Sequence, residues 1–378
     1  MIRRGLLFVI AVLHGAVAQD SCISPRNIPG RCINVHSCQR VINILQQQKP
    51  LSSEIVLYLK SLQCGTEGNS PKVCCEQQQT PAAPTPTIQS PIPSPPDVSN
   101  HPNLRLLNED ICGPATVPKL IGGERTGVLD FPWMALVAYD TGNGIPEFRC
   151  GGTVINKRYV MTAAHCVTSL PRGVRVVGVR LGEHDLDSER DCDRDETGRE
   201  IVCADPPQNI DLESVHTHPG FSVSQMRNDI ALLRLNRNAD FAPLNVRPIC
   251  MPLGTAALFN QKKVTVTGWG VTELKVPSQS LLKVKLDVVN STECERAIKG
   301  KTRIWHKHIC AGGRRGMNSC GGDSGGPLQS PNFYNNKVKY IQYGIVSVGF
   351  KRCDTEGVPG IYTNVVYYMD WILDTIRP

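Results

Sequence analysis

The stretch Gly321-Gly322-Asp323-Ser324-Gly325-Gly326-Pro327 sets a single serine hydroxyl among four glycines. Glycines allow tight turns and leave backbone N–H groups free to face a substrate oxygen, so Ser324 reads as a candidate nucleophile. A serine hydroxyl is weak in that role until a base takes its proton, and the base needs a carboxylate to orient it. Both partners stand upstream. Thr162-Ala163-Ala164-His165-Cys166 ends one β-like run, and Asn228-Asp229-Ile230-Ala231-Leu232-Leu233 opens another. A lone histidine is more often structural than catalytic; three motifs in the order His165, Asp229, Ser324 make a far more specific pattern.

Around these motifs, short apolar and β-branched runs recur at 133–139, 152–155, 230–235, 264–266, 282–289 and 340–348, separated by Gly, Pro and Asn turns. That pattern predicts an all-β barrel or sandwich unit of about 250 residues. One helix is expected at the end of the chain, where Met369, Ile372 and Ile376 repeat at helical spacing.

The rest of the 378-residue chain is organised differently. Hydrophobic residues at 40% and charged residues at 20% fit a folded protein and argue against a disordered or multi-span membrane one. The net charge of +7 comes from scattered residues with no Lys/Arg-rich run, so neither nucleic acid nor membrane is expected as a partner. Sixteen cysteines imply a disulfide framework and an oxidising compartment. Consistent with that, Arg3 and Arg4 precede an apolar run that ends at Ala16 and Ala18, which predicts a signal peptide over 1–18 and a secreted protein. Residues 76–111 are expected to be a Pro-rich linker, with eight prolines in 80–102 unable to build a core. Before it, Cys22, Cys32, Cys38, Cys64, Cys74 and Cys75 mark a small module over 22–75 with an amphipathic stretch at 41–62. Six cysteines allow about fifteen pairings, and spacing alone does not choose among them.

From 120 to 378 the chain resembles the chymotrypsin-family serine proteases, and the six-cysteine module resembles the clip domain of arthropod proteases. The resemblance implies two six-stranded β-barrels of the trypsin type with a C-terminal helix, preceded by the small disulfide-rich clip domain. It makes His165 general base and then acid, Asp229 its orienter, Ser324 the acyl-forming nucleophile, and the N–H groups of Gly322 and Ser324 the oxyanion hole, with no cofactor for catalysis. Lys119-Leu120-Ile121-Gly122-Gly123 resembles the family's activation site, at the end of a tethered segment 112–119. A cut after Lys119 would free an ammonium on Leu120 to pair with Asp323 and offset that carboxylate's desolvation. The implied disulfides are Cys22–Cys74, Cys32–Cys64, Cys38–Cys75, Cys112–Cys250, Cys150–Cys166, Cys192–Cys203, Cys294–Cys310 and Cys320–Cys353.

One loop and one pocket add detail. The acidic stretch 182–196 would repel itself without a counterion, and hard oxygen ligands favour Ca2+. Related proteases hold calcium in this loop, which implies Glu183 and Asp191 as side-chain ligands and Asp185 and Ser188 as carbonyl ligands. His216 and His218 form a His-x-His pair without a third ligand, and no metal is expected there. By resemblance Asn318, Ser347, Gly349 and Gly360 line the substrate pocket. Trypsin-like members carry an aspartate where Asn318 stands; an unpaired buried cation there would cost about 2–5 kcal/mol, so a polar or large neutral residue before the cut bond rivals Arg or Lys. Asn290-Ser291-Thr292 is a glycosylation sequon.

Together these readings predict a secreted serine endopeptidase zymogen of an extracellular cascade of the melanisation or Toll type. Its expected partners are a protein substrate (a zymogen or pro-ligand), an upstream activating protease and a serpin-type inhibitor. The alternative is a noncatalytic or weakly catalytic homologue acting as a binding cofactor.

Overall fold

The computed structural model describes residues 21–25, 28–47, 53–68, 70–76, 92–107, 110–115, 126–168, 170–272, 275–299, 302–313, 321–348 and 355–378. The expected signal segment, Lys119, Leu120, Asn318, Cys320, Gly349 and Cys353 lie outside them. The chain forms two compact units, Met1–Ile88 and Gln89–Pro378.

In the first unit, strands β1 (Ser21–Ile23), β2 (Pro29–Asn34), β3 (Gln63–Glu67) and β4 (Ser70–Glu76) form one sheet in the order β1-β2-β4-β3. The stretch 41–62 divides into α1 (Gln39–Gln47) and α2 (Ser53–Ser61). Cys38, Val41, Leu62 and Val73 are the buried centre. So small a core needs staples. Cys22–Cys74, Cys32–Cys64 and Cys38–Cys75 supply them.

The second unit is all-β with two closed six-stranded barrels, as expected. The first comprises β5 (Met134–Asp140), β6 (Glu147–Asn156), β7 (Tyr159–Thr162), β8 (Arg175–Leu181), β11 (Gln208–Thr217) and β12 (Ala231–Leu235), in the order β11-β12-β7-β6-β5-β8. A hairpin, β9 (Cys192–Arg194) with β10 (Glu200–Cys203), rises from the acidic loop. The second barrel, β13-β14-β15-β18-β17-β16, uses β13 (Lys263–Gly268), β14 (Leu282–Val289), β15 (His308–Ala311), β16 (Pro327–Tyr334), β17 (Lys337–Val348) and β18 (Gly360–Asn364). Closure leaves no open edge to pair with other chains. Between the barrels, buried Trp133 donates its indole N–H to Gln329 Oε1 at 2.7 Å, and Gln329 Nε2 donates to Thr267 at 3.0 Å. Helix α3 (Ser291–Ala297), not foreseen from periodicity, starts at Asn290, whose Oδ1 caps Glu293 N at 2.9 Å. The C-terminal helix α4 (Met369–Thr375) buries Met369, Ile372 and Leu373, and the following Ile376 is buried with them.

The second half of the stretch expected as a linker over 76–111 has structure of its own. Residues 92–107 belong to the barrel unit, and Pro102–Leu106 forms a 3-10 turn against α4. Asn103 Nδ2 donates to Leu373 O at 2.8 Å, while Leu107 is buried and Val98, Leu104 and Leu106 pack on the same core. Proline content concealed these few apolar anchors.

Candidate active site

His165 sits in a short 3-10 turn at the end of β7 and Asp229 immediately before β12; the pairing of Ala231 with Thr162 brings the two together. His165 Nδ1 lies 2.7 Å from Asp229 Oδ2, and His165 N donates to Asp229 Oδ1 at 2.9 Å. Ser347 Oγ also donates to Asp229 Oδ2, and Thr363 Oγ1 donates to the Asp229 carbonyl at 2.8 Å. Burial by itself would raise the Asp229 pKa, but the hydrogen bonds and charge of His165 and the Ser347 hydroxyl outweigh it and hold the carboxyl below its usual range. The carboxylate therefore stays charged and fixes which imidazole nitrogen carries a proton.

Ser324 occupies the turn entering β16, between the barrels. Gly151 N of β6 donates to Ser324 O at 2.8 Å, and Gly325 N donates to Val346 O of β17 at 2.8 Å. The glycines are needed here. Gly325 has φ +80°, and a Cβ there would come within 2.1 Å of Thr162 Oγ1. Gly322 has φ +100°, a turn that any other residue would resist. Asp323 Oδ1 accepts from Gly270 N at 2.9 Å, and a Cβ at Gly268 or Gly270 would come within 2.2 or 2.5 Å of that carboxylate. Gly268-Trp269-Gly270 is thus a cradle for Asp323 that sequence reasoning missed; its signal was the bare Gly-Trp-Gly triplet ending β13.

The remaining expected residues fall as follows. Cys112–Cys250, Cys150–Cys166, Cys192–Cys203 and Cys294–Cys310 are bonded. Ser347, expected in the substrate pocket, commits its hydroxyl to Asp229. Gly360 is buried in β18 opposite Ala311. His216 and His218 are engaged separately, His216 Nε2 with Ser214 Oγ at 2.8 Å and His218 with Gly220 N at 3.1 Å.

In the acidic loop, Glu183 and Asp191 face a cavity of about 160 Å3 that Ser188, Glu189, Arg190 and Asp205 also line. Burial and the Asp191 charge raise the Glu183 pKa against the hydrogen bond from His184 N. Asp191 Oδ2 accepts from His184 N and Asp185 N, whereas its buried Oδ1 has no partner among the described residues. The Asp185 carboxylate accepts from Ser280 Oγ and Asp187 N, and its carbonyl accepts from Ser188 N at 3.1 Å with a second lone pair to spare. Two crowded carboxylates, one orphan oxygen and a carbonyl fit a hard cation.

A buried acid holding a histidine, and a serine on a glycine turn whose Gly325 packs against Thr162 and Ala163 at the foot of that histidine's turn, are matched by what the chain is similar to. The Trypsin family model covers residues 120–372, and the model for the regulatory CLIP domain of proteinases covers 22–75. The chain belongs to the CLIP-domain serine proteases. CLIP domain-containing serine protease B4 of Anopheles gambiae is 36% identical over 97% of this chain and 94% of its own. Phenoloxidase-activating enzyme 1 of Spodoptera litura is 37% identical over 98% and 97%. Among solved structures, the Grass clip serine protease of the Drosophila Toll pathway has TM-score 0.65 at 32% identity, covering 94% of this family member and 97% of that chain. No helix among the described residues is long and apolar enough to cross a membrane.

Proposed function

We propose that this CLIP-domain protease is a secreted serine endopeptidase, made as a zymogen and cut after Lys119, that cleaves a protein substrate in an extracellular cascade. The observation that carries the reading is the buried Asp229 with its His165 pair at 2.7 Å, beside an intact Ser324. His165 takes the Ser324 proton as the hydroxyl attacks the scissile carbonyl, then returns it to the leaving amine. Asp229 steadies the imidazolium, and the N–H groups of Gly322 and Ser324 receive the oxyanion. Asp323, held by Gly270, receives the Leu120 ammonium after the cut. Names among the relatives, an activating enzyme for phenoloxidase and a Toll-pathway protease, support melanisation or Toll-type signalling, with a zymogen or pro-ligand as substrate and a serpin-type inhibitor as partner. Glu183, Asp191 and the carbonyls of Asp185 and Ser188 hold a structural Ca2+, which neutralises the loop; Asn290 carries a glycan.

The test is hydrolysis, by protein cut at Lys119, of peptides with Arg, Lys, Gln, Leu or Phe before the scissile bond, with Ser324→Ala as control. Cleavage that the control abolishes supports the reading, and the residue preferred reports what the Asn318 pocket accepts. Silence from cut, folded protein overturns it in favour of a binding cofactor.

A further inference from the structure

The chain segment 296–308 carries five Lys/Arg and no Asp/Glu, and the fold sets its residues 302–308 against the residues that lead into Asp229. Thr302 Oγ1 donates to Gln225 O at 3.4 Å, and His308 Nε2 donates to Met226 O at 2.8 Å. Next in sequence, Arg227 places its guanidinium 4.8 Å from the centre of the Trp305 ring, and the Lys307 ammonium stands 5.7 Å from the same ring and 4.6 Å from that of Tyr368. Arg296, Lys299 and Arg303 extend the ridge as exposed side chains. Several other arginines on the barrels are answered by carboxylates: Arg149 by Glu147, Arg158 and Arg234 by Glu213, Arg175 by Asp140. Arg227, Arg296, Lys299, Arg303 and Lys307 have no ion pair among the described residues. Of the acids that border the ridge, Glu295 Oε1 accepts from Ile304 N and Asp370 Oδ1 accepts from Trp371 N.

Cations left unpaired in folding, and held by aromatic faces rather than by carboxylates, keep their charge for an incoming anion. Because Arg227 precedes Asp229 by two residues, the ridge lies within a short peptide's reach of the cut bond. We propose that this ridge is an anion-recognising extension of the substrate cleft, which selects acidic side chains on the substrate polypeptide a few residues to the N-terminal side of the scissile bond. The assignment rests on the protease reading above.

Two peptides distinguish it, each with the best-cleaved residue before the scissile bond and either Glu or Gln at the third to sixth positions before it. For the activated full chain, kcat/KM on the Glu peptide exceeds that on the Gln peptide by about fivefold at low ionic strength, and the gap shrinks with salt, as half-exposed ion pairs require. Arg227→Gln with Arg303→Gln removes the preference while cleavage of the Gln peptide is unchanged. Equal rates on the two peptides, or an equal loss on both in the variant, overturn the proposal. Titration of the Ser324→Ala protein with both peptides reads the same preference as affinity, so failure of hydrolysis and failure of recognition are separable. Heparin binding that the variant abolishes, with no discrimination between the peptides, assigns the ridge to a sulfated polysaccharide and also overturns it.

Discussion

Asp229 and Glu183 are both buried carboxylates of the first barrel, 3% and 8% exposed, yet their surroundings drive them in opposite directions. Asp229 meets donors from His165 and Ser347, and its pKa falls. Glu183 is buried beside a second acid, Asp191, and its pKa rises despite the hydrogen bond from His184 N and the nearby Arg180. A buried charge is tolerable when its partners come from the chain itself and incomplete when they do not. The first site is finished by folding; at the second, the Arg180 ion pair and the His184 N–H leave Glu183 still crowded by Asp191, and the proposed cation would finish it.

The sharpest way to break that contrast is to remove the charge at the finished site. Asp229→Asn keeps the shape but lets the imidazole settle in the wrong tautomer, and kcat on the best peptide falls by about 10,000-fold. Circular dichroism of the variant matches the parent. A loss of less than about tenfold would mean that Asp229 does not orient His165.

At the unfinished site the effect is smaller and has a definite sign. A carboxyl whose folded pKa is raised above its ordinary 4.5 destabilises the metal-free fold increasingly as pH rises through the raised value. Calcium binding, which needs the charged form, strengthens over the same range. The gap in melting temperature between calcium-loaded and chelated protein therefore widens from pH 5 to 8. With calcium at about a hundred times its Kd it corresponds to ~2.7 kcal/mol, or several degrees. Glu183→Gln closes the gap and removes its pH dependence; a gap that is flat with pH, or that survives the substitution, contradicts the cation assignment.

The two sites also differed in how readable they were. His165, Asp229 and Ser324 lie in motifs whose neighbours are turn glycines and apolar strand residues, so chemistry and fold were legible together. The apolar runs revealed β5, β6, β12, β13, β14 and β17. Strand β11 escaped because its half-buried and exposed positions alternate, with Asp211, Glu213 and His216 among them, leaving no apolar run. β16 escaped because Pro327 and Pro331 punctuate a strand that nonetheless buries Gln329 and Ser330; the Gln329 amide is answered by Trp133 and Thr267, partners distant in sequence. The strap at 92–107 and the ridge around Trp305 were invisible for the same reason. Each depends on which residues meet across the fold.

The mildest perturbation returns to Asp229. Ser347→Ala deletes the hydroxyl that shares Asp229 Oδ2 with the imidazole. The carboxylate keeps the ring and the main-chain N–H of His165, so the charge remains partnered and the barrel stays folded. Hydrogen bonds to charged groups contribute about 1.5–3 kcal/mol, and with two donors left the smaller figure applies, so kcat falls by about tenfold. Ser347→Thr restores the hydroxyl and kcat. If Ser347 served only to shape the substrate pocket, the alanine variant would raise KM and leave kcat where it was, and the buried acid would be complete with His165 alone.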